Sequence, residues 1–398
     1  MKKSPRSFEL VLGPSFLGPS FLGPSFLGPS FLSPSFLSAS FLRPSFWARN
    51  FLALTCLVML PIAAMQVANA QSTPPGALEV PAKKIPVPTD VSPQLQKIIG
   101  APLRSNWDIH PRTGEEWKPV ADAGAAALIK TVPGMLERLK VKVEKTTIDG
   151  VRAFIVTPET IAPENRNRQL IHMHGGCYVL NPGEASLPEA ILMAGFGHIK
   201  VISVEYRMPP EAYFPAALDD GIAVWKAALK NTDAGNMAIF GTSAGGALTM
   251  EMVLKAKQLG LPLPGAIAPG TPMSDVTKVG DTFQTNAMLD NVLVSPDGFC
   301  DDGAKVYANG HDMKDPLLSP VYGDMKGFPP TILTSGTRDL LLSNTVRVHR
   351  KLREAGVEAS LQVYEGMSHA HYLRDDTAPE TREVFEEIAT FFDKHLGK

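Results

Sequence analysis

"MAIFGTSAGGALTM", residues 237–250, passes from a short apolar run through a corner of small residues into a second apolar run with helical spacing. The corner, Gly241 to Gly245, reads G-x-S-x-G. In that pattern a strand turns sharply into a helix with the serine Oγ exposed at the bend. Minimal side chains two places before and two after the serine let the chain double back. Gly241, Gly245 and Gly246 meet this need around Ser243. The N–H of Ala244 then opens the helix beside the serine, where the helix dipole favours negative charge. The same pattern arises by chance in glycine-rich turns. Here the strand-like run before it and the helix-like run after it favour the elbow.

Outward from this corner the chain alternates. Short apolar runs, LIHMHGG, VISVEYR, MAIFGTS, GAIAPGTP, TILTSGTRD and ASLQVYEG, are separated by helical patterns such as FPAALDDGIAVWKAALK, GGALTMEMVLKAKQLG and NTVRVHRKLREAG. Strands that read as continuous hydrophobic runs between helices predict an α/β fold, a doubly wound parallel sheet covered on both faces. Upstream, LKVKVEKTTID and VRAFIVTPE alternate as half-buried edge strands do, in a hairpin-like start. Chemistry in such a sheet gathers at the carboxyl ends of the strands.

Beside the elbow, two further groups fall at those ends. In HMHGGCYVL, His174, Gly175, Gly176 and Cys177 follow an apolar strand. Glycine lets the backbone approach a ligand closely, and successive N–H groups can converge on one oxygen. Acyl transfer needs such donors, each worth about 2.7–4 kcal/mol. An ordinary glycine turn is the plainer alternative. His172 and His174 suggest a metal only weakly, because no carboxylate or cysteine partner stands at ligand spacing; no metal is expected.

An unactivated serine is a poor nucleophile and needs a base and an orienting acid. TSGTRDLLLS ends one strand run with Asp339, and VYEGMSHAHYL ends the next with His369. The order Ser243, Asp339, His369 resembles that of α/β-hydrolases. The interval between Asp339 and His369 holds one helix and one strand, which returns both to the same sheet edge. His371 competes as base, and the place after the EGMS turn favours His369. For Asp339 the plainer alternative is a strand-end carboxylate or a helix cap. His311 and His349 read as surface or cap histidines, and Asp219 and Asp220 as exposed or structural acids within a helix.

The 398 residues are 44% hydrophobic, enough to fill the core of one large domain or two ordinary ones. With 38 basic against 40 acidic residues the formal charge is −2, so there is no basic field to grip nucleic acid. Cys56, Cys177 and Cys300 are too few for a disulfide scaffold and lack zinc spacing. From Gly13 the pentapeptide GPSFL repeats four times and decays through SPSFL, SASFL and RPSFW. Recurrent proline excludes a helix and spoils a strand ladder. Residues 1–42 are therefore expected to be disordered low-complexity sequence: an expanded tandem repeat or a misassigned start, with an adhesive tail as the alternative. Behind them, Arg43 and Arg49 precede FLALTCLVMLPIAAM and QVANAQ. These are the three parts of a secretory signal over 43–70, with Ala68 and Ala70 before a cleavage point at Gln71. The apolar run is too short and too proline-interrupted for a membrane span. Loss of residues 1–70 removes five basic groups and one acid and leaves −6. The catalytic chain, 71–398, is expected to be periplasmic or secreted, with no stable membrane anchor. Cys177 and Cys300 could pair in that oxidising space, but they are expected to be free and partly buried, since Cys177 stands in the glycine loop.

With these residues in view, the chain from about residue 100 onward resembles bacterial members of the hormone-sensitive-lipase-like family of α/β-hydrolases. HGGC is similar to the family's oxyanion loop, EYRMPPEAYFPAALDD to its Y-R-x-x-P-E segment, GTSAGG to its elbow and GMSHAH to its histidine turn. The resemblance implies an eight-stranded, mostly parallel sheet with a helical cap, no cofactor, and hydrolysis of carboxylic esters. It implies Ser243 as nucleophile, His369 as general base and then acid, and Asp339 as its orienter. The oxyanion donors it implies are the backbone N–H groups of Gly176, Cys177 and Ala244, with Gly175 shaping the loop. Many relatives have a third glycine where Cys177 stands, but only proline would remove the backbone donor. Many have Asp where Thr242 stands; a GTSAG branch exists within the family.

The cap is expected from about 90–135 and 281–312. Met288, Leu289, Val292, Leu293, Phe299 and Tyr307 are candidates for the acyl-pocket wall or simply for cap core. The expected function is that of a secreted carboxylesterase or lactone hydrolase acting on short to medium acyl esters, a small-molecule substrate; a homodimer is left open. A peptidase would need a larger lid domain and a site for a charged peptide terminus. A silent ligand-binding relative would have lost the histidine that His369 supplies.

Overall fold

The computed structural model describes residues 76–397; the repeat and the signal segment expected over 1–70 lie outside the described residues. In chain order the elements are α1 (Pro93–Ile99), α2 (Gly114–Leu128), α3 (Val132–Leu139), β1 (Val141–Ile148), β2 (Val151–Pro158), β3 (Gln169–Met173), α4 (Pro188–Gly197), β4 (Val201–Val204), α5 (Ala216–Ala228), β5 (Met237–Thr242), α6 (Ala244–Gln258), β6 (Ala266–Gly270), α7 (Thr282–Thr285), α8 (Phe299–Ala308), β7 (Thr331–Gly336), α9 (Leu342–Glu354), β8 (Ala359–Tyr364) and α10 (Pro379–His395). All belong to one unit that begins at Pro81.

The strands form one sheet in the order β1-β2-β4-β3-β5-β6-β7-β8. β1 and β2 pair antiparallel as a hairpin, and β2 is antiparallel to β4. From β4 to β8 every pairing is parallel. The burial follows from this. β3, β5 and β6 are central and covered on both sides, so their apolar runs are buried almost throughout. β1 and β8 are the edges and alternate with exposed residues.

Ile171, Ile239 and Ile267 stand side by side on β3, β5 and β6 and point into one core layer, shared with α5, α6 and α9. Leu170, Ala238 and Ala266 point the other way, into the layer filled by α3, α4 and α10. Side-chain alternation along each strand thus feeds both layers.

The segments expected to form a cap hold α1, α2, α7 and α8. Ser92 caps α1 by accepting from the Leu95 N–H at 3.1 Å, with Pro93 in the first turn, where its missing N–H costs nothing. Thr113 caps α2 in the same way through the Glu116 N–H. α2 packs on α8. Asp302 of α8 binds His110 at 2.6 Å and Arg112 at 2.9 Å, which ties the N-terminal helices to the insertion that follows β6.

The two cysteines expected to be free thiols are instead joined: Cys177 and Cys300 form a disulfide with their Cα atoms 5.2 Å apart. Packing explains the pairing. α8 lies on the loop after β3 so closely that Gly303 faces the Cys177 carbonyl and the Val179 side chain, and Tyr307 stacks on Tyr178 with ring centroids 4.5 Å apart. The contact joins residues 123 apart in sequence, a distance over which spacing carries no pairing signal.

Candidate active site

Ser243 stands between β5 and α6 with φ 64° and ψ −121°, the strained conformation of a residue forced round a tight corner. The glycines make the corner possible. A Cβ on Gly241 or on Gly245 would lie about 2 Å from the carbonyl oxygen of Met173 at the end of β3, so any side chain there would drive the elbow off the sheet. Behind the serine, the Thr242 N–H and hydroxyl both donate to Glu189 of α4, at 3.1 and 2.6 Å, and the hydroxyl also meets the Tyr372 hydroxyl at 2.8 Å. Glu189 is completed by His172, whose other ring nitrogen is taken by Ser203. The elbow therefore rests on a buried polar network.

The glycine loop is fixed through its carbonyls. Tyr206 donates to the His174 oxygen at 2.7 Å, and the Asn181 side-chain amide and the His174 ring hold the Gly175 oxygen at 3.0 and 2.9 Å. Gly176 has φ 129°, Cys177 52° and Tyr178 63°, a run of left-handed residues. Among the described residues, the N–H groups of Gly176, Cys177 and Ala244 meet no backbone or side-chain acceptor. His174 is buried, and burial lowers its pKa to about 3, so the ring is neutral.

Asp339 follows β7, and His369 lies in the turn after β8; both are buried. His369 Nδ1 donates to Asp339 at 3.1 Å, which leaves Nε2 as the nitrogen available to a nucleophile. The remaining acceptor sites of Asp339 are filled by the Ser335 hydroxyl, the Leu341 N–H and the Thr271 hydroxyl. Burial works against the charge on Asp339, but His369 and these donors outweigh it and hold the carboxyl below its usual range. The pair is linked to the elbow through the end of β6: Gly270 accepts from the Ser243 N–H, and the next residue, Thr271, lies between Asp339 and His369.

His371 is occupied elsewhere. Its Nδ1 accepts from the Ser368 N–H at 3.1 Å and its Nε2 meets the Asn291 amide oxygen at 2.7 Å. Burial first, and then the charge of Arg374, lower its pKa to about 3. With both nitrogens committed and the ring neutral, it holds a turn in place.

Comparison with known proteins bears on this arrangement. The sequence profile of a family described as alpha/beta hydrolase fold matches residues 170–373, from β3 past the histidine turn. The chain belongs to that family. A solved structure of an esterase, E25, is 42% identical, covers 80% of this chain and 99% of its own, and superposes with a TM-score of 0.78. An esterase from the bacterial hormone-sensitive lipase family is 25% identical over 70% of this chain and 99% of its own, with a TM-score of 0.61. An acetyl-hydrolase of Streptomyces hygroscopicus is 27% identical over 63% of this chain and 84% of its own length. The group within the family is thus the hormone-sensitive-lipase-like α/β-hydrolases.

In this α/β-hydrolase the six residues considered for the acyl-pocket wall separate by burial. Leu293, Phe299 and Tyr307 are core, and Phe299 lies under the Arg104 guanidinium at 3.9 Å. Leu289 and Val292 are half-buried, and Met288 is 57% exposed. Asp220 is a structural acid: it clamps the main chain and guanidinium of Arg207 at 2.7–3.1 Å. The sequence reading missed Glu189 and Thr271. For Thr271 the signal was its place directly after a strand run; for Glu189 there was none.

Proposed function

We propose that this protein is an esterase that passes the acyl group of a short- to medium-chain carboxylic ester, or of a lactone, to Ser243 and then to water. The observation that carries the reading is the buried His369–Asp339 pair at the sheet end that also holds a serine on a strained elbow. Ser243 Oγ adds to the ester carbonyl as its proton passes to His369 Nε2, and Asp339 keeps the ring oriented and stabilises its charge. The oxygen that gains charge is met by the N–H groups of Gly176, Cys177 and Ala244, the last at the head of α6. Collapse expels the alcohol with the proton from His369. Water then enters by the same route and releases the acid. The names of the relatives, acetyl-hydrolase, esterase and arylesterase, support ester cleavage.

Export belongs to the same proposal. The signal-like segment before Gln71 and a disulfide in the mature chain both fit an oxidising compartment. The test uses p-nitrophenyl esters from acetate to laurate on protein expressed from the full sequence. We expect turnover that peaks at short to medium acyl chains, a product whose N-terminus is Gln71, and a Ser243→Ala variant that folds with kcat reduced at least ~10⁴-fold. Full activity in that variant would refute the mechanism, and binding of esters without turnover would make the chain a ligand-binding relative.

A further inference from the structure

We infer that Asp290, a fully buried acid in the insertion after β6, is a positioning residue that holds the turn of Asp339 and the turn of His369 in register through their backbones. The inference rests on the assignment of those two residues as orienting acid and base. Asp290 Oδ1 accepts from the N–H groups of Val292 and Leu293 at 2.8 and 3.1 Å, a local turn of the kind Asp and Asn both form. Oδ2 reaches much further. It accepts from the Leu340 N–H, next to Asp339, at 2.8 Å, and from the N–H of His369 itself at 3.3 Å.

The surroundings extend the grip. The Asn291 N–H donates to Ser368, its amide oxygen meets His371, and its amide nitrogen donates to the Ile98 carbonyl at the end of α1. Asn286 donates to the carbonyls of Thr337 and Asp339. Segment 286–293 thus fastens both turns to the N-terminal helix. The turns also meet directly, where the Met367 carbonyl accepts from the Arg338 N–H at 3.0 Å, and Asp290 adds a single oxygen that takes one backbone N–H from each.

The donor set is that of an ionised carboxylate: the four partners are all N–H groups, and none could accept a carboxyl proton. Keeping that charge is costly. Burial first, and the charge of Asp339 second, push the Asp290 carboxyl up from its usual range, against the pull of His369 and of the Leu340 and Val292 N–H groups. A second buried carboxylate beside the first is a poor device for stability alone, since an apolar loop of the same shape would avoid both penalties.

The two oxygens allow a selective test. Asp290→Asn keeps an oxygen for the local turn and turns an amide NH2 towards the Leu340 and His369 N–H groups. Asp275→Asn is the control. Asp275 is equally buried and also makes a local turn, with Thr277, while its other oxygen meets Tyr322 and Arg347 and neither catalytic turn. Both variants are assayed with p-nitrophenyl butyrate below their melting temperatures, on folded enzyme counted by organophosphate titration.

We expect kcat of Asp290→Asn to fall about 10²-fold, the scale of an ångström-sized misplacement, with KM within about twofold. Asp275→Asn should lose comparable melting temperature and keep its kcat. Unchanged kcat in Asp290→Asn, or an equal loss in the control, overturns the inference. If the Asn variant is not recovered folded, Asp290→Ala is read in its place; failure of both to fold assigns Asp290 to folding and overturns the inference too. Failure of the underlying assignment shows separately, as activity retained in Ser243→Ala or His369→Ala.

Discussion

Thr242 stands out from the sequence only as the residue that distinguishes one branch of a family, and in the fold it has a physical task. Its hydroxyl and N–H are shared with Glu189 and Tyr372 directly behind Ser243. Replacing it by valine keeps the shape and leaves Glu189, a largely buried acid, short of a donor. Thr242→Val should therefore cost about 1–3 kcal/mol in urea unfolding, and kcat should fall with it as the elbow loosens, while Thr242→Ser restores both. Equal unfolding midpoints for Thr242→Val and the parent would show that the hydroxyl bears no load. At this scale the sequence was legible where chemistry and punctuation coincide. Ser243, Asp339 and His369 each sit at a turn directly after an apolar run. Thr271 shares that place after a strand run but carries no titratable group, while Glu189 and Asp290 have no such marker: Glu189 meets His172 and Thr242, 17 and 53 residues away, and Asp290 reaches Leu340 and His369, 50 and 79 residues away.

Among the elements, the strands were readable because both faces of the sheet are covered, so β3, β5 and β6 appear as unbroken apolar runs. α4 was not readable as a helix, for the same reason carried further: nine of its ten residues are buried, so it has no polar face to set a period. The joint between the glycine loop and α8 was equally hidden, because only the docking of one element on the other brings Cys177 to Cys300. This joint makes a measurable difference. A cross-link between residues 123 apart stabilises by about 2–4 kcal/mol, so Cys300→Ser, or reduction by dithiothreitol, should lower the melting temperature by several degrees. Because Cys177 also lies in the loop proposed to meet the reacting oxygen, kcat should drop more than KM rises. A reduced enzyme with unchanged melting temperature and kcat would remove the disulfide from both roles.

For the whole molecule, two neutral histidines set an acid limit. His174 and His371 are each lowered by burial to about 3, whereas in the unfolded chain they titrate near their ordinary value of about 6.5. Between those values the unfolded chain takes up protons that the folded one refuses, so stability is full above about pH 6.5 and falls as pH drops towards 3. The slope approaches ~1.4 kcal/mol per pH unit for each ring. Urea midpoints at pH 7, 6 and 5 should decline accordingly, with a shallower decline in His371→Gln; a flat profile in the parent would contradict the burial argument. The disulfide, finally, gives the chain the topology of a loop with a tail. Residues 177–300 form a closed covalent circuit that contains Ser243, Ala244 and Asp290, while Asp339 and His369 ride on the open strand beyond it. Under oxidising conditions a proteolytic nick inside the circuit leaves one covalent molecule. A single cut in 301–338 separates the proposed nucleophile Ser243 from Asp339 and His369, which are then held to it only by the hydrogen bonds and packing between the two pieces.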